Sequence, residues 1–265
     1  MPEVTHHAPG SFCWSELATA DPDGAKRFYA GLFGWTANDM PMGDGMNYSM
    51  LQLRGLDVGA LYGMQPDQRA QGVPPNWMCY VAVDDADETV RRARDLGATV
   101  HMDPMDVFDS GRMAVLQDPT GASFGIWQPK THIGARLIAE PNTACWNELD
   151  TNDTGKALDF YTKLFGWTTK PGKDYTEFTA PGASDPMGGL MEIPKEWGNV
   201  PPHWLTYFAV PDCDATVAEV QKLGGKTIVP PTDIPNTGRF SVLQDPQGAV
   251  FAVIKLTMPA FERET

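Results

Sequence analysis

Two glutamates in matching surroundings are the first residues of this sequence suited to chemistry. Glu16 lies in Cys13-Trp14-Ser15-Glu16-Leu17, and Glu148 lies in Cys145-Trp146-Asn147-Glu148-Leu149. Side chains two positions apart share one face of a strand, so each glutamate stands beside a tryptophan. A carboxylate among aromatic rings has its charged form disfavoured by desolvation, which suits a general base or an anchor for a cationic ligand. The competing arrangement is an ion pair with Arg112 or Arg239, because an unpaired buried carboxylate is costly, and such a pair can still orient a ligand, which makes both arginines ligand-binding candidates. His203 is the third candidate, since a neutral imidazole exchanges protons near physiological pH, and a plain wall hydrogen bond is its alternative role. His132 stands where it can reach a cavity mouth or tie a linker down. His6, His7 and His101 read as tail and surface residues.

Those residues belong to an internal duplication. Phe28-Tyr29 and Phe33-Gly34-Trp35 recur, 132 positions on, as Phe160-Tyr161 and Phe165-Gly166-Trp167, the same offset that relates the two glutamates. Pro74-Pro75-Asn76-Trp77 recurs as Pro201-Pro202-His203-Trp204, Gly111-Arg112 as Gly238-Arg239, and Asp118-Pro119-Thr120-Gly121 as Asp245-Pro246-Gln247-Gly248, all at 127. Repeat two has therefore lost five residues between Trp35 and Pro74, in the Asp39–Met46 region or in the 65–75 stretch. The repeats divide the chain into domains 1–130 and 131–265.

Each half-repeat must position its candidates with a strand, a helix and further strands. Residues 12–19 alternate as a strand, and Asp21-Pro22 then supplies an N-cap and a first-turn proline for a helix ending at Gly34. Tyr48 to Leu53 and Val58 to Tyr62 follow as strands. The second half repeats the order, with strands at Trp77 to Val83, Thr99 to His101, Met113 to Gln117 and Ser123 to Trp127, and a helix capped by Asp84. The Asp-Pro-x-Gly tetrad closes the last hairpin. Four βαβββ units result, and the fold class is α+β, with tandem modules forming curved, cup-like mixed sheets and helices on the outer face.

This order, with its Phe-Tyr, Phe-Gly-Trp and Asp-Pro-x-Gly signatures, resembles the vicinal oxygen chelate superfamily of glyoxalases, bleomycin-resistance proteins and extradiol dioxygenases. The Trp-x-Glu-Leu start, the Pro-Pro-x-Trp lead-in and the His132-Ile133-Gly134-Ala135 link look like its tandem two-module glyoxalase-like branch. The resemblance implies a divalent ion held by His, Gln or Glu at three inward positions per repeat. Those positions carry Trp14, Met78 and Gly125, then Trp146, Leu205 and Ala252, none with a side chain for a hard or borderline cation. No metal and no cofactor are therefore expected. In the family's register Glu16 and Glu148 face into the cups, together with Asn76, Met78 and Tyr80 in one repeat and His203, Leu205 and Tyr207 in the other. Trp14, Trp127 and Trp146 line the cavities, whereas Trp35, Trp77, Trp167 and Trp204 pack the core. The cups are expected to differ, because Asn76 answers to His203 and Trp127 to Ile254.

Composition narrows the function. A formal net charge of -14 repels nucleic acid and anionic membranes, and no apolar run reaches the roughly 18 residues of a spanning helix. Residues 1–10 lack the basic start and apolar core of a leader, so a cytoplasmic location is expected. The four cysteines form no CxxC pair and read as packed free thiols, with a nucleophile at Cys13 or Cys145 the alternative. The first reading is a protein that binds or sequesters a small hydrophobic or aromatic metabolite, as a monomer or homodimer. The alternative is a metal-independent lyase, isomerase or cyclase acting through Glu16, Glu148 and His203, and a metal-dependent glyoxalase or dioxygenase ranks last.

Overall fold

The computed structural model describes residues 3–43, 45–70 and 72–257. In the first repeat the elements are β1 (Phe12–Thr19), α1 (Pro22–Phe33), β2 (Thr36–Gly43), β3 (Met46–Leu53), β4 (Leu56–Gly63), α2 (Pro66–Ala70), β5 (Asn76–Ala82), α3 (Ala86–Asp95), β6 (Thr99–Val107), β7 (Gly111–Gln117) and β8 (Ser123–Pro129). In the second they are β9 (Ala144–Thr151), α4 (Thr154–Phe165), β10 (Thr168–Pro171), β11 (Thr176–Thr179), β12 (Gly188–Glu192), β13 (His203–Ala209), α5 (Cys213–Lys222), β14 (Lys226–Ile234), β15 (Gly238–Gln244) and β16 (Val250–Leu256). Each repeat makes one curled eight-stranded sheet, ordered β2-β3-β4-β1-β5-β8-β7-β6 and β10-β11-β12-β9-β13-β16-β15-β14. No helix among the described residues is long and apolar enough to cross a membrane.

Local chemistry explains the boundaries. Asp21 and Asp153 cap the two long helices by accepting the amides of Gly24 and Lys156, and Gly34 and Gly166 end them in the left-handed region at φ 71°. Asp85, one residue after the expected cap Asp84, accepts the Glu88 amide at the start of α3. The first of the two stretches named for the length difference is taken up by strands, not by a loop: β2 runs to Gly43 and β3 starts at Met46, and the two form a long hairpin. Trp35 to Tyr48 spans thirteen positions and the equivalent Trp167 to Tyr175 only eight, so the five-residue difference falls in this hairpin.

The helices lie between the two sheets, and each packs against the other repeat. One core joins Phe28, Tyr29, Phe33, Trp35 and Trp77 of the first repeat to Phe208, Val217, Leu243 and Phe251 of the second. The other joins Val81, Val90, Leu116 and Phe124 to Leu149, Phe160, Tyr161, Trp167 and Trp204. Polar relays run through both. The Trp77 indole donates to the Tyr29 hydroxyl at 2.9 Å, and Tyr29 donates to Asp245 at 3.1 Å. Reciprocally, Trp204 donates to Tyr161 at 2.9 Å, and Tyr161 donates to Asp118 at 2.9 Å. The second carboxylate oxygen of each aspartate accepts the amides of its own Asp-Pro-x-Gly turn, as at Gly121 and Gly248. Helix of one repeat and hairpin of the other are thereby fixed together.

With the convex faces consumed, the concave faces point outward. A register shift in β1 between Phe12 and Trp14 sends Phe12 into the inter-sheet core, against Trp204 at 5.3 Å, and turns both Cys13 and Trp14 to the concave side. Changing Tyr29→Phe removes the hydroxyl that serves both Trp77 and Asp245 and leaves two buried polar groups unpaired. A destabilisation of about 2 kcal/mol is expected in urea unfolding; an unchanged midpoint would show that the relay contributes nothing.

Candidate functional site

The concave face of the first sheet is built around Glu16. Its two carboxylate oxygens accept hydrogen bonds from the Tyr80 hydroxyl at 2.6 Å and the Tyr48 hydroxyl at 2.8 Å. The Trp14 indole donates to Tyr48 at 3.1 Å. Burial raises the carboxyl pKa of Glu16, and the two tyrosine bonds oppose that rise. Met50, Ala60, Met78 and Trp127 complete the wall. Glu148 repeats the pattern: Tyr207 donates to it at 2.8 Å, Tyr175 bonds it as well, and the Trp146 indole donates to Tyr175 at 2.8 Å. Its carboxyl pKa is raised by burial too.

The cups then diverge. In the first, Glu16 is 9% exposed, and Met40 stands opposite Tyr48 on the long β2–β3 hairpin, on the same face of the sheet. In the second, where that hairpin is short, Glu148, Trp146 and Tyr175 are only half-buried. Below Glu148 on the same face comes Asp150, paired across strands with His203; the first repeat has Ala18 paired with Asn76. Asp150 is 1% exposed, and its Oδ2 lies 3.4 Å from His203 Nε2. Its Oδ1 has no hydrogen-bond partner. Burial lowers the His203 pKa, while burial and then the Glu148 charge push the Asp150 carboxyl up to about 8.

Most residues singled out from the sequence gather on these two faces, and some do not. Met78, Tyr80, Trp14 and Trp127 share the first cup, and Trp146, Leu205 and Tyr207 share the second. Asn76 and His203 sit at matching rims, each bonding the carbonyl two residues back, at Pro74 and Pro201. His132 sets its ring edge-on to Trp14, with centroids 4.8 Å apart, and its carbonyl accepts the Trp127 indole. Arg112 and Arg239 are not partners of the glutamates. They lie on the opposite face, where the helix N-termini offer Asp87 at 2.7 Å and Asp214 at 2.7 Å. His7 is no tail residue either: it is buried, with Nε2 2.7 Å from the Ala135 carbonyl. Burial pushes the Cys145 thiol up to about 12 and the Cys13 thiol higher still, against a nucleophile at either. Tyr48, Tyr175 and Asp150 are the site residues that sequence reasoning missed.

The family's metal does not fit these donors. The Trp14 and Trp146 indoles are spent on tyrosines, and Met78, Leu205 and Ala252 offer no hard donor. At Gly125 a side chain would meet the Tyr80 ring at 2.3 Å, so a ligating residue there would displace the tyrosine that holds Glu16. Among the described residues no group of three His, Cys, Asp or Glu is placed to hold a metal ion. A recess of about 80 Å³ is lined by residues of both repeats, Trp14 of β1 and Trp146 of β9 among them.

Residues 14–127 match the family model of a glyoxalase-like domain, and residues 137–253 match the glyoxalase/bleomycin resistance protein/dioxygenase superfamily. The chain is 44% identical over 261 residues to "Putative glyoxylase CFP32" of Mycobacterium tuberculosis, covering 96% of this chain and 98% of that protein. It is 38% identical over 267 residues to the anthracycline biosynthesis protein DnrV of Streptomyces peucetius, covering 96% of each. In fold it is similar to the Mn(II)-bound glyoxalase from Novosphingobium aromaticivorans, with a TM-score of 0.66 at 15% identity over 97% of this chain and 86% of that one.

Between the ordinary aspartate pKa of about 3.9 and the folded value of about 8, the folded chain holds a proton at Asp150 that the unfolded chain has lost. Stability therefore falls as pH rises through that window. Asp150→Asn abolishes this titration. Its urea midpoint is expected to match the parent near pH 4 and to exceed it increasingly toward pH 8; a pH-independent difference would contradict the assignment.

Proposed function

The chain belongs to the glyoxalase/bleomycin resistance protein/dioxygenase superfamily, and from that premise we propose that it binds a small apolar or aromatic metabolite on its concave faces without a metal ion. The observation that carries this reading is the Trp–Tyr–Glu relay present in both cups. It engages Trp14 and Trp146, which stand at two of the positions the resemblance assigns to metal ligands, and makes a fixed wall of aromatic surface with one polar centre. Tyrosine and tryptophan give large contact area at little entropic cost, and the methionines of the first cup adapt to a ligand's outline. The name of the relative DnrV, an anthracycline biosynthesis protein, supports a small molecule as the ligand.

A second reading, conversion of the bound compound by metal-free proton transfer, is favoured by one feature. The second cup sets His203 Nε2 3.4 Å from Asp150, whose carboxyl feels the Glu148 charge, so acid and base stand together. Under that reading His203→Asn, which copies Asn76 of the first repeat, abolishes conversion and leaves affinity intact.

The primary reading is tested by titrating 2-naphthol against the protein and following tryptophan emission. Saturable quenching is expected, with affinity unchanged by EDTA and weakened about tenfold by Trp146→Ala through loss of ring contact. Binding that vanishes with EDTA and returns with Mn(II) would overturn it.

A further inference from the structure

Resting on the reading of the cups as ligand sites, we infer that the second cup is an amine site, in which the ammonium group of an aromatic or apolar organic cation is bound by Asp150 Oδ1 beside Glu148. The argument starts from the ring of His203. Its Nδ1 lies 3.0 Å from the Pro201 carbonyl, an atom that can only accept, so Nδ1 carries a hydrogen. Asn76 makes the same bond to Pro74 with its amide Nδ2, also as donor. In the neutral ring Nε2 then presents a lone pair, and it faces Asp150 Oδ2 at 3.4 Å. Two lone pairs at that separation repel, so the pair holds one proton between Nε2 and Oδ2. Whichever atom carries it, Oδ1 remains an acceptor, and Oδ1 is the atom without a donor. A buried acceptor left empty costs free energy that a ligand's donor recovers.

The surroundings select a charged donor over a hydroxyl. Glu148, Tyr175, Tyr207 and His203 are the titratable groups facing Asp150, and the remaining cross-strand neighbour is Met191. Among the described residues no lysine or arginine pairs with Glu148 or Asp150. Two carboxyl groups with one imidazole, walled by aromatic rings, favour a cation both by Coulomb attraction and through the ring faces. The first cup lacks the feature, having Ala18 and Asn76 at these places. The second is also the more open, with Trp146, Glu148, Met191 and His203 all half-buried.

Binding an ammonium at Oδ1 favours the charged carboxylate, so the shared proton is held on His203 Nε2. Calorimetric titration of 2-phenylethylamine and its neutral isostere 2-phenylethanol near pH 7 tests the amine site. The amine is expected to bind at least about tenfold tighter than the alcohol, as a charge-assisted hydrogen bond requires. Asp150→Asn, which keeps the shape and removes the charge, should weaken the amine about tenfold and erase that preference. Equal affinity for amine and alcohol in the parent protein, or an amine preference that survives Asp150→Asn, overturns the amine site and leaves the ligand-binding reading standing. If neither probe binds, both are overturned.

Discussion

Everything in this molecule hangs on two tyrosine hydroxyls that cross from one repeat to the other. Tyr29 and Tyr161 each accept a tryptophan N–H from their own repeat and donate to an aspartate in the final hairpin of the other. Those aspartates are bound in turn by the amides of their Asp-Pro-x-Gly turns, so a side chain that shapes a turn also receives the bond that joins the repeats. Around these contacts the rings of Phe33, Trp35, Phe208 and Phe251, and of Phe165, Trp167 and Phe124, close two mixed cores. Neither sheet could cover its convex face alone. The duplication thus yields one body, with the sheets back to back and the helices between them.

That constraint decides where a ligand can go. Since the convex faces are spent on each other, the concave faces are left for function, and their chemistry follows from what a carboxylate needs when it is buried. Glu16 obtains two tyrosine hydroxyls and Glu148 obtains Tyr207 and Tyr175, which supply hydrogen bonds without neutralising the charge. The cups then drift apart through two local changes, a hairpin shortened by five residues and an Ala-to-Asp, Asn-to-His exchange on adjacent strands. The first leaves the second cup open, and the second makes it acidic.

The architecture was largely legible because it is written in repeated local signals: the Phe-Tyr helices, the Asp-Pro-x-Gly turns and two constant offsets between the copies, 132 and then 127. Strand parity was enough to set Glu16 beside Trp14 and Met78 beside Tyr80. What failed was the pairing of partners far apart in sequence. Tyr48 lies 32 positions from Glu16 and on a strand beyond β4, so no periodicity connects the two. The arginines illustrate the reverse error: residue type suggested a partner for the glutamates, but Arg112 lies one position out of phase with the inward Met113 and so faces Asp87 at the start of α3. Asp150 was readable, since the offset of 132 sets it against Ala18 on the same strand face as Glu148.

The most direct measurement is native mass spectrometry of the protein purified gently from its expression host. The account predicts a chain mass that carries a small organic molecule, lost on mild activation, and no stoichiometric transition metal. A mass increment of one Mn, Fe, Ni or Zn per chain, retained after the organic ligand is gone, would contradict it.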